Sequence, residues 1–68
     1  MFEAAIRARL AAGDRRIADI VAAIYQGLDP RLRGAAALSV FAHLEDLVGR
    51  GRATCDGAPQ LDGTYAPA

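Results

Sequence analysis

The sequence predicts a mainly α domain in which three helices precede a small C-terminal β-hairpin, the arrangement of a winged helix-turn-helix. Apolar residues recur at helical spacing in three segments, and a glycine or an Asp-Pro pair separates each segment from the next. Residues 52–68 lack that spacing and contain two Asp-Gly turn signals. A chain of 68 residues has room for one hydrophobic core, so we expect a single domain over residues 1–68.

The first helix is predicted over about residues 2–12. Phe2, Ile6 and Leu10 follow one another at intervals of four, which places them on one face of a helix. Gly13 ends the helix, because glycine tolerates the left-handed backbone of a C-terminal cap. A connector over residues 14–16 follows, with space for one or two residues of strand.

The second helix is predicted over about residues 17–26 and ends at Gly27. Its apolar residues follow the spacing of one helix face: Ile17, Ile20, Val21, Ile24, Tyr25 and Leu28. Leu28 lies beyond the glycine, so we expect it to fill the core from the turn. Tyr25 has two interpretations: a residue at the core edge whose hydroxyl points outward, or a contact with a docked domain.

The third helix is predicted over about residues 30–50, with Asp29 as its N-cap and Pro30 at its first position. The pattern also allows a break near Gly34. The predicted buried face comprises Ala37, Val40, Phe41, Leu44, Leu47 and Val48. The predicted opposite face comprises Ser39, His43, Asp46 and Arg50.

The wing is predicted over about residues 52–66. Ala53–Asp56 and Thr64–Ala66 can pair as a short hairpin around a loop that contains Pro59. We expect the last residues, including Pro67, to fray.

The charge pattern argues against a protein that binds nucleic acid. Eight arginines are balanced by eight carboxylates, whereas repeated phosphate contacts need a basic excess. In a helix-turn-helix reader the third helix would enter the major groove, but here it carries Glu45 and Asp46. Weak candidates for nucleic-acid contact are the arginines near its two ends: Arg31, Arg33, Arg50 and Arg52.

The residue types needed for metal binding or catalysis are too few. A zinc site needs three or four clustered ligands, but His43 is the only histidine and Cys55 the only cysteine. A Cys55 nucleophile with His43 as its base would lack a third, orienting group. We therefore expect neither an active site nor a cofactor in this segment.

The sequence predicts a cytoplasmic location. No apolar stretch is long enough for a membrane span, the N-terminus is not a signal peptide, and a lone cysteine suits the cytoplasm.

One surface of the third helix indicates a protein partner. Three residues lie on a flank of this helix, outside its main apolar stripe, and form a flat surface: Ala35, Leu38 and Ala42. Together with His43, we predict them as a domain-docking surface. A domain of this size has a thin stability margin, so a neighbouring domain or a second copy in a homodimer would add support.

Over about residues 3–56, the chain resembles the winged-helix domain found at the C-terminus of many metallo-β-lactamase-fold hydrolases. The similar features are the helix IADIVAAIY, which begins at Ile17, the turn GLDPRL, the run AAALSVFAHLEDL and the closing GRG. The resemblance implies a preceding catalytic domain, an αββα sandwich with an H-x-H-x-D-H signature and two metals, usually zinc. A single histidine cannot supply that signature, so no metal ligand carries over to this chain.

The resemblance therefore implies a non-catalytic accessory domain of a zinc-dependent hydrolase. Such a domain would pack on the catalytic domain and help to shape the substrate entrance or an oligomer interface. The alternative is a stand-alone winged-helix module that binds nucleic acid, and a third possibility is an independent enzyme. The wing ATCDGAPQLDGTYAPA is less basic than wings in that family often are, which argues against the nucleic-acid alternative.

Overall fold

The computed structural model describes residues 2–68 and confirms the predicted fold class, three helices followed by a two-stranded antiparallel wing. The elements are, in chain order, helix α1 (Phe2–Ala11), helix α2 (Ile17–Ile24), a 3-10 turn (Pro30–Leu32), helix α3 (Arg33–Gly49), strand β1 (Ala53–Cys55) and strand β2 (Tyr65–Pro67).

The core lies where the three helices meet, and the wing covers one side of it. Its buried residues are Ile6, Leu10, Ile17, Ile20, Val21, Ala36, Val40, Leu44, Leu47, Ala53 and Tyr65. Val40, Leu44 and Leu47 of the predicted α3 face are buried, whereas Ala37, Phe41 and Val48 are half-buried at its edge. Full burial of a large apolar side chain stabilises a fold by about 1.5–3 kcal/mol, so this set holds the three helices together.

The first two helices end two to three residues before the glycines that the sequence indicates, at Ala11 and Ile24. Gly13 and Gly27 have positive φ angles of 111° and 76°, which side chains with a Cβ rarely adopt. Helix α2 ends at Ile24, two residues before the predicted end, because Tyr25 already has non-helical angles. The N–H of Leu28 donates to the Tyr25 carbonyl at 3.1 Å, and Leu28 packs half-buried against the core, as expected.

Asp29 caps the third helical segment. Its carboxylate accepts a hydrogen bond from the Arg31 backbone N–H at 2.9 Å, and Pro30 occupies the first position. The Leu32 N–H donates to the Asp29 carbonyl at 2.9 Å, the three-residue spacing of a 3-10 turn. The regular helix therefore begins at Arg33, so the break lies just before Gly34, close to the position that the sequence pattern allowed.

Replacing Asp29 with alanine is expected to lower the melting temperature by a few degrees, because the Arg31 N–H loses its acceptor. Hydrogen bonds from the Arg31 side chain, and then from its backbone, hold the pKa of the Asp29 carboxyl below its ordinary value. The stabilisation is therefore present above about pH 4 and is lost as the pH falls through the folded-state pKa. Thermal unfolding at about pH 7 and about pH 2 measures both effects, and an equally large difference at the lower pH would contradict this cap.

The wing is joined to the first half of the chain through β2. Strands β1 and β2 pair with Ala53 opposite Pro67 and Cys55 opposite Tyr65. On the other side of β2, the Tyr65 N–H donates to the Arg15 carbonyl at 2.8 Å, and Arg16 forms an isolated antiparallel bridge with Thr64. Pro67, which was expected to fray, is the last residue of β2, a strand end where proline is tolerated.

A tight turn before β2 is held by Tyr65, the largest of the fully buried side chains. The Gly63 N–H donates to the Gln60 carbonyl at 3.1 Å, which closes the turn. The Tyr65 hydroxyl donates to the same carbonyl at 2.6 Å and accepts from the Gln60 N–H at 3.0 Å. Burial raises the pKa of the Tyr65 hydroxyl above its ordinary value.

Candidate functional site

The candidate docking surface lies on the solvent-facing side of α3. Leu38 is 57% exposed, and Ala35 and Ala42, about one turn before and after it, are exposed as well. Glu45 and Asp46 continue the exposed side of the helix towards its C-terminus. This surface offers a second protein small apolar side chains around one leucine, and no titratable group at its centre that could take part in catalysis.

His43 lies at the edge of the docking surface that faces α1. Its ring is half-buried, with its centroid 4.9 Å from that of Phe2 in α1. Phe2 also contacts Tyr25 at the end of α2, with a centroid separation of 5.6 Å. The three rings form a cluster at the core edge, which agrees with the core-edge interpretation of Tyr25. His43 therefore contributes to helix packing, and its imidazole is not directed freely into solvent.

The predicted outward face of α3 is in part a flank that contacts α1. The guanidinium of Arg50 lies 2.6 Å from Glu3 and 2.7 Å from Asp46, while Ser39 and Asp46 are exposed. The hydrogen bonds to Asp46 and Glu3 raise the pKa of Arg50. The prediction that this set lies opposite the core is corrected for His43, which is half-buried against Phe2 of α1, whereas Ser39, Asp46 and Arg50 are exposed.

The four candidate arginines do not form one basic surface. Arg31 pairs with Asp29 at 2.8 Å, and Arg50 pairs with two carboxylates. Arg33 and Arg52 form no ion pair within residues 2–68. Arg33 borders a groove between α2 and α3, whereas Arg52 borders a different groove between α1 and β2. Two of the four positive charges are thus neutralised locally, and the other two lie apart.

The α2–α3 groove is a shallow depression of about 260 Å³ at the N-terminal half of α3. It is lined by Ala18, Val21, Ala22, Arg33, Gly34 and Ala37. These residues are small or apolar apart from one arginine. The groove therefore extends the apolar character of α3 towards α2, and it offers no cluster of polar groups that could orient a substrate.

The described residues also do not fit a metal site. Within residues 2–68, no three side chains of histidine, cysteine, aspartate or glutamate come together. The Cys55 thiol is half-buried and donates to the Gly57 carbonyl at 3.1 Å. The His43 ring packs against Phe2, so neither residue is arranged as part of a nucleophile and base pair. Across the same residues, no helix has both the length and the hydropathy that crossing a membrane requires.

A family model described as the beta-lactamase associated winged helix domain matches residues 17–60. The matched segment contains α2, the 3-10 turn, α3 and β1, and therefore the whole candidate docking surface. Helix α1 and strand β2 lie outside it. Comparisons with curated proteins and with solved structures found no match.

Proposed function

The chain belongs to the beta-lactamase associated winged helix domain family, and from this membership we propose that it is the non-catalytic accessory domain of a metallo-β-lactamase-fold hydrolase. In this proposal it packs on the catalytic domain of the same polypeptide through α3. Its contribution is structural: it covers part of the catalytic domain and borders the substrate entrance or an oligomer interface. The zinc belongs to the catalytic domain, and this chain supplies none of its ligands.

The exposed apolar surface of α3 is the observation that carries this proposal. A helix that reads nucleic acid presents cations and hydrogen-bond donors along its outer side. Between Arg33 and Arg50 this helix carries no lysine or arginine, and Leu38 stands exposed between two alanines. Contact with another protein would remove Leu38 from water, and burial of an apolar side chain is favourable in free energy.

We expect Leu38→Asp to weaken association with the separately produced catalytic domain by about tenfold or more, because a charged group would be buried in an apolar contact. The fold should be unaffected, since Leu38 is largely solvent-exposed. Isothermal titration calorimetry measures the affinity, and circular dichroism checks the fold. Leu32→Asp is the matched control, because Leu32 is 54% exposed but lies in the 3-10 turn. If Leu38→Asp and the unsubstituted chain bind the catalytic domain with equal affinity, docking through this surface of α3 is contradicted.

The principal alternative is a module that binds nucleic acid, and it makes a different prediction. Fluorescence anisotropy with a labelled DNA or RNA duplex would detect binding that weakens steeply as salt rises. Sub-micromolar binding of this kind would favour the alternative. Turnover of an ester or a nucleic acid by the purified chain, with or without zinc, would contradict the non-catalytic assignment.

A further inference from the structure

The turn between the wing strands presents an exposed leucine beside a carboxylate. Leu61 is 48% exposed, and Asp62 is exposed and forms no ion pair within residues 2–68. They are the two central residues of the turn that Tyr65 holds at Gln60. We call Leu61 and Asp62 the wing knob. Because the turn is already ordered, the knob loses little conformational entropy when it binds a partner.

A groove elsewhere on the domain has the complementary chemistry. It lies between α1 and the C-terminal end of β2, has a volume of about 420 Å³ and is bordered by Arg7 and Arg52. Its apolar walls are formed by Ala4, Ala8, Leu10, Ala11, Pro67 and Ala68. We call it the α1–β2 groove. It is shallow and open, since every residue named here except Leu10 is exposed to solvent.

The two arginines of the α1–β2 groove have no carboxylate partner among residues 2–68. Arg15, Arg16 and Arg33 also form no ion pair within residues 2–68, whereas Arg9, Arg31 and Arg50 each pair with at least one carboxylate. A cation that becomes covered at an interface needs an opposite charge, because an unpaired buried charge is costly. A partner that fits this groove therefore carries an apolar side chain next to a carboxylate.

We propose that the wing knob of one copy docks in the α1–β2 groove of a second copy, with Leu61 against the apolar walls and Asp62 facing Arg7 and Arg52. A two-fold arrangement lets both copies make this contact at once, which closes the assembly as a dimer. The contact is small, so the dimer is weak and depends on concentration. Helix α1 and the knob lie outside residues 17–60, so this inference rests on the structure of this chain and not on the family match. It is also independent of docking through α3.

Charge reversal in matched pairs tests the contact. Sedimentation equilibrium of the 68-residue chain is expected to show a monomer–dimer equilibrium with a Kd below about 1 mM. The variant with Arg7→Glu and Arg52→Glu, and the separate variant Asp62→Arg, are each expected to weaken self-association by about tenfold or more. An equimolar mixture of these two variants should restore dimers, since the heterodimer has opposite charges at both contacts.

Control variants separate this contact from an effect of net charge. Arg33→Glu changes an arginine that also lacks an ion pair but lies beside the α2–α3 groove, so it should leave dimerisation unchanged. Asp19→Arg reverses another exposed carboxylate but keeps Asp62 and both groove arginines, so alone it should dimerise like the parent chain. Circular dichroism checks that every variant is folded. A parent chain that remains monomeric up to about 1 mM, or folded charge-reversal variants that dimerise like the parent, would overturn the proposal.

Discussion

Tyr65→Ala is expected to lower the free energy of unfolding by about 3–5 kcal/mol, the range observed when a large buried aromatic side chain is removed. Tyr65 is 1% exposed and is the largest of the fully buried side chains. A domain of this size is stable by only about 3–5 kcal/mol. The substituted chain should therefore be largely unfolded at 25 °C. Urea denaturation of the parent chain measures its stability, and circular dichroism of the variant without denaturant measures the loss of helix.

Tyr65→Phe separates the hydroxyl from the ring. It keeps the buried ring but removes both hydrogen bonds to Gln60, so we expect a loss of about 1 kcal/mol. Amide hydrogen exchange at Gln60 should become faster, because its N–H loses its acceptor. If Tyr65→Ala costs no more than Tyr65→Phe, the ring is not part of the core, and the described packing of the wing is wrong.

Leu44→Ala is expected to lower the free energy of unfolding by about 2–5 kcal/mol, because it leaves a cavity where three helices meet. Leu44 is 0% exposed, whereas Leu38, on the same helix, is 57% exposed. Leu38→Ala is therefore the matched control, with the same chemical change and an expected effect within about 0.5 kcal/mol. Urea denaturation of the two variants compares them directly, and similar losses would mean that α3 is rotated relative to the described packing.

The elements that the sequence predicted well depend on local interactions. Asp29 and Pro30 determine the start of the third helical segment through a cap and a fixed φ angle, both of which involve neighbouring residues. Gly13 and Gly27 mark helix ends for the same local reason. The apolar stripe of α2 was predicted from helical spacing in the sequence. Three of its residues are buried in the structure: Ile17, Ile20 and Val21.

The features that the sequence analysis missed depend on distant parts of the chain. Arg50 contacts Glu3, which is 47 positions away, and no periodicity within α3 indicates that α1 lies there. Ala36 is buried although the pattern favoured Ala37, because a small side chain gives little information on which face packs. Tyr65 lies in a three-residue strand, which is too short to show alternation, although an aromatic residue two positions after an Asp-Gly turn was a usable signal.

The candidate docking surface was predicted only in part, and for a related reason. Exposure of Ala35, Leu38 and Ala42 followed from their position away from the apolar stripe. The role of His43 did not follow, since its neighbour Phe2 belongs to another helix. The partner of this surface is not among the described residues, so docking through α3 stays a prediction.

The hydrogen bond between Tyr65 and Arg15 has a consequence for how the domain can be divided. It joins positions 50 residues apart, one before and one after the segment 17–60 that defines the family match. A fragment trimmed to that segment would lack α1, β2 and the Tyr65 ring, and hence three of the eleven buried residues, Ile6, Leu10 and Tyr65. The segment that the family model matches therefore lacks part of the buried core, and fragments trimmed to residues 17–60 are expected to be molten or insoluble.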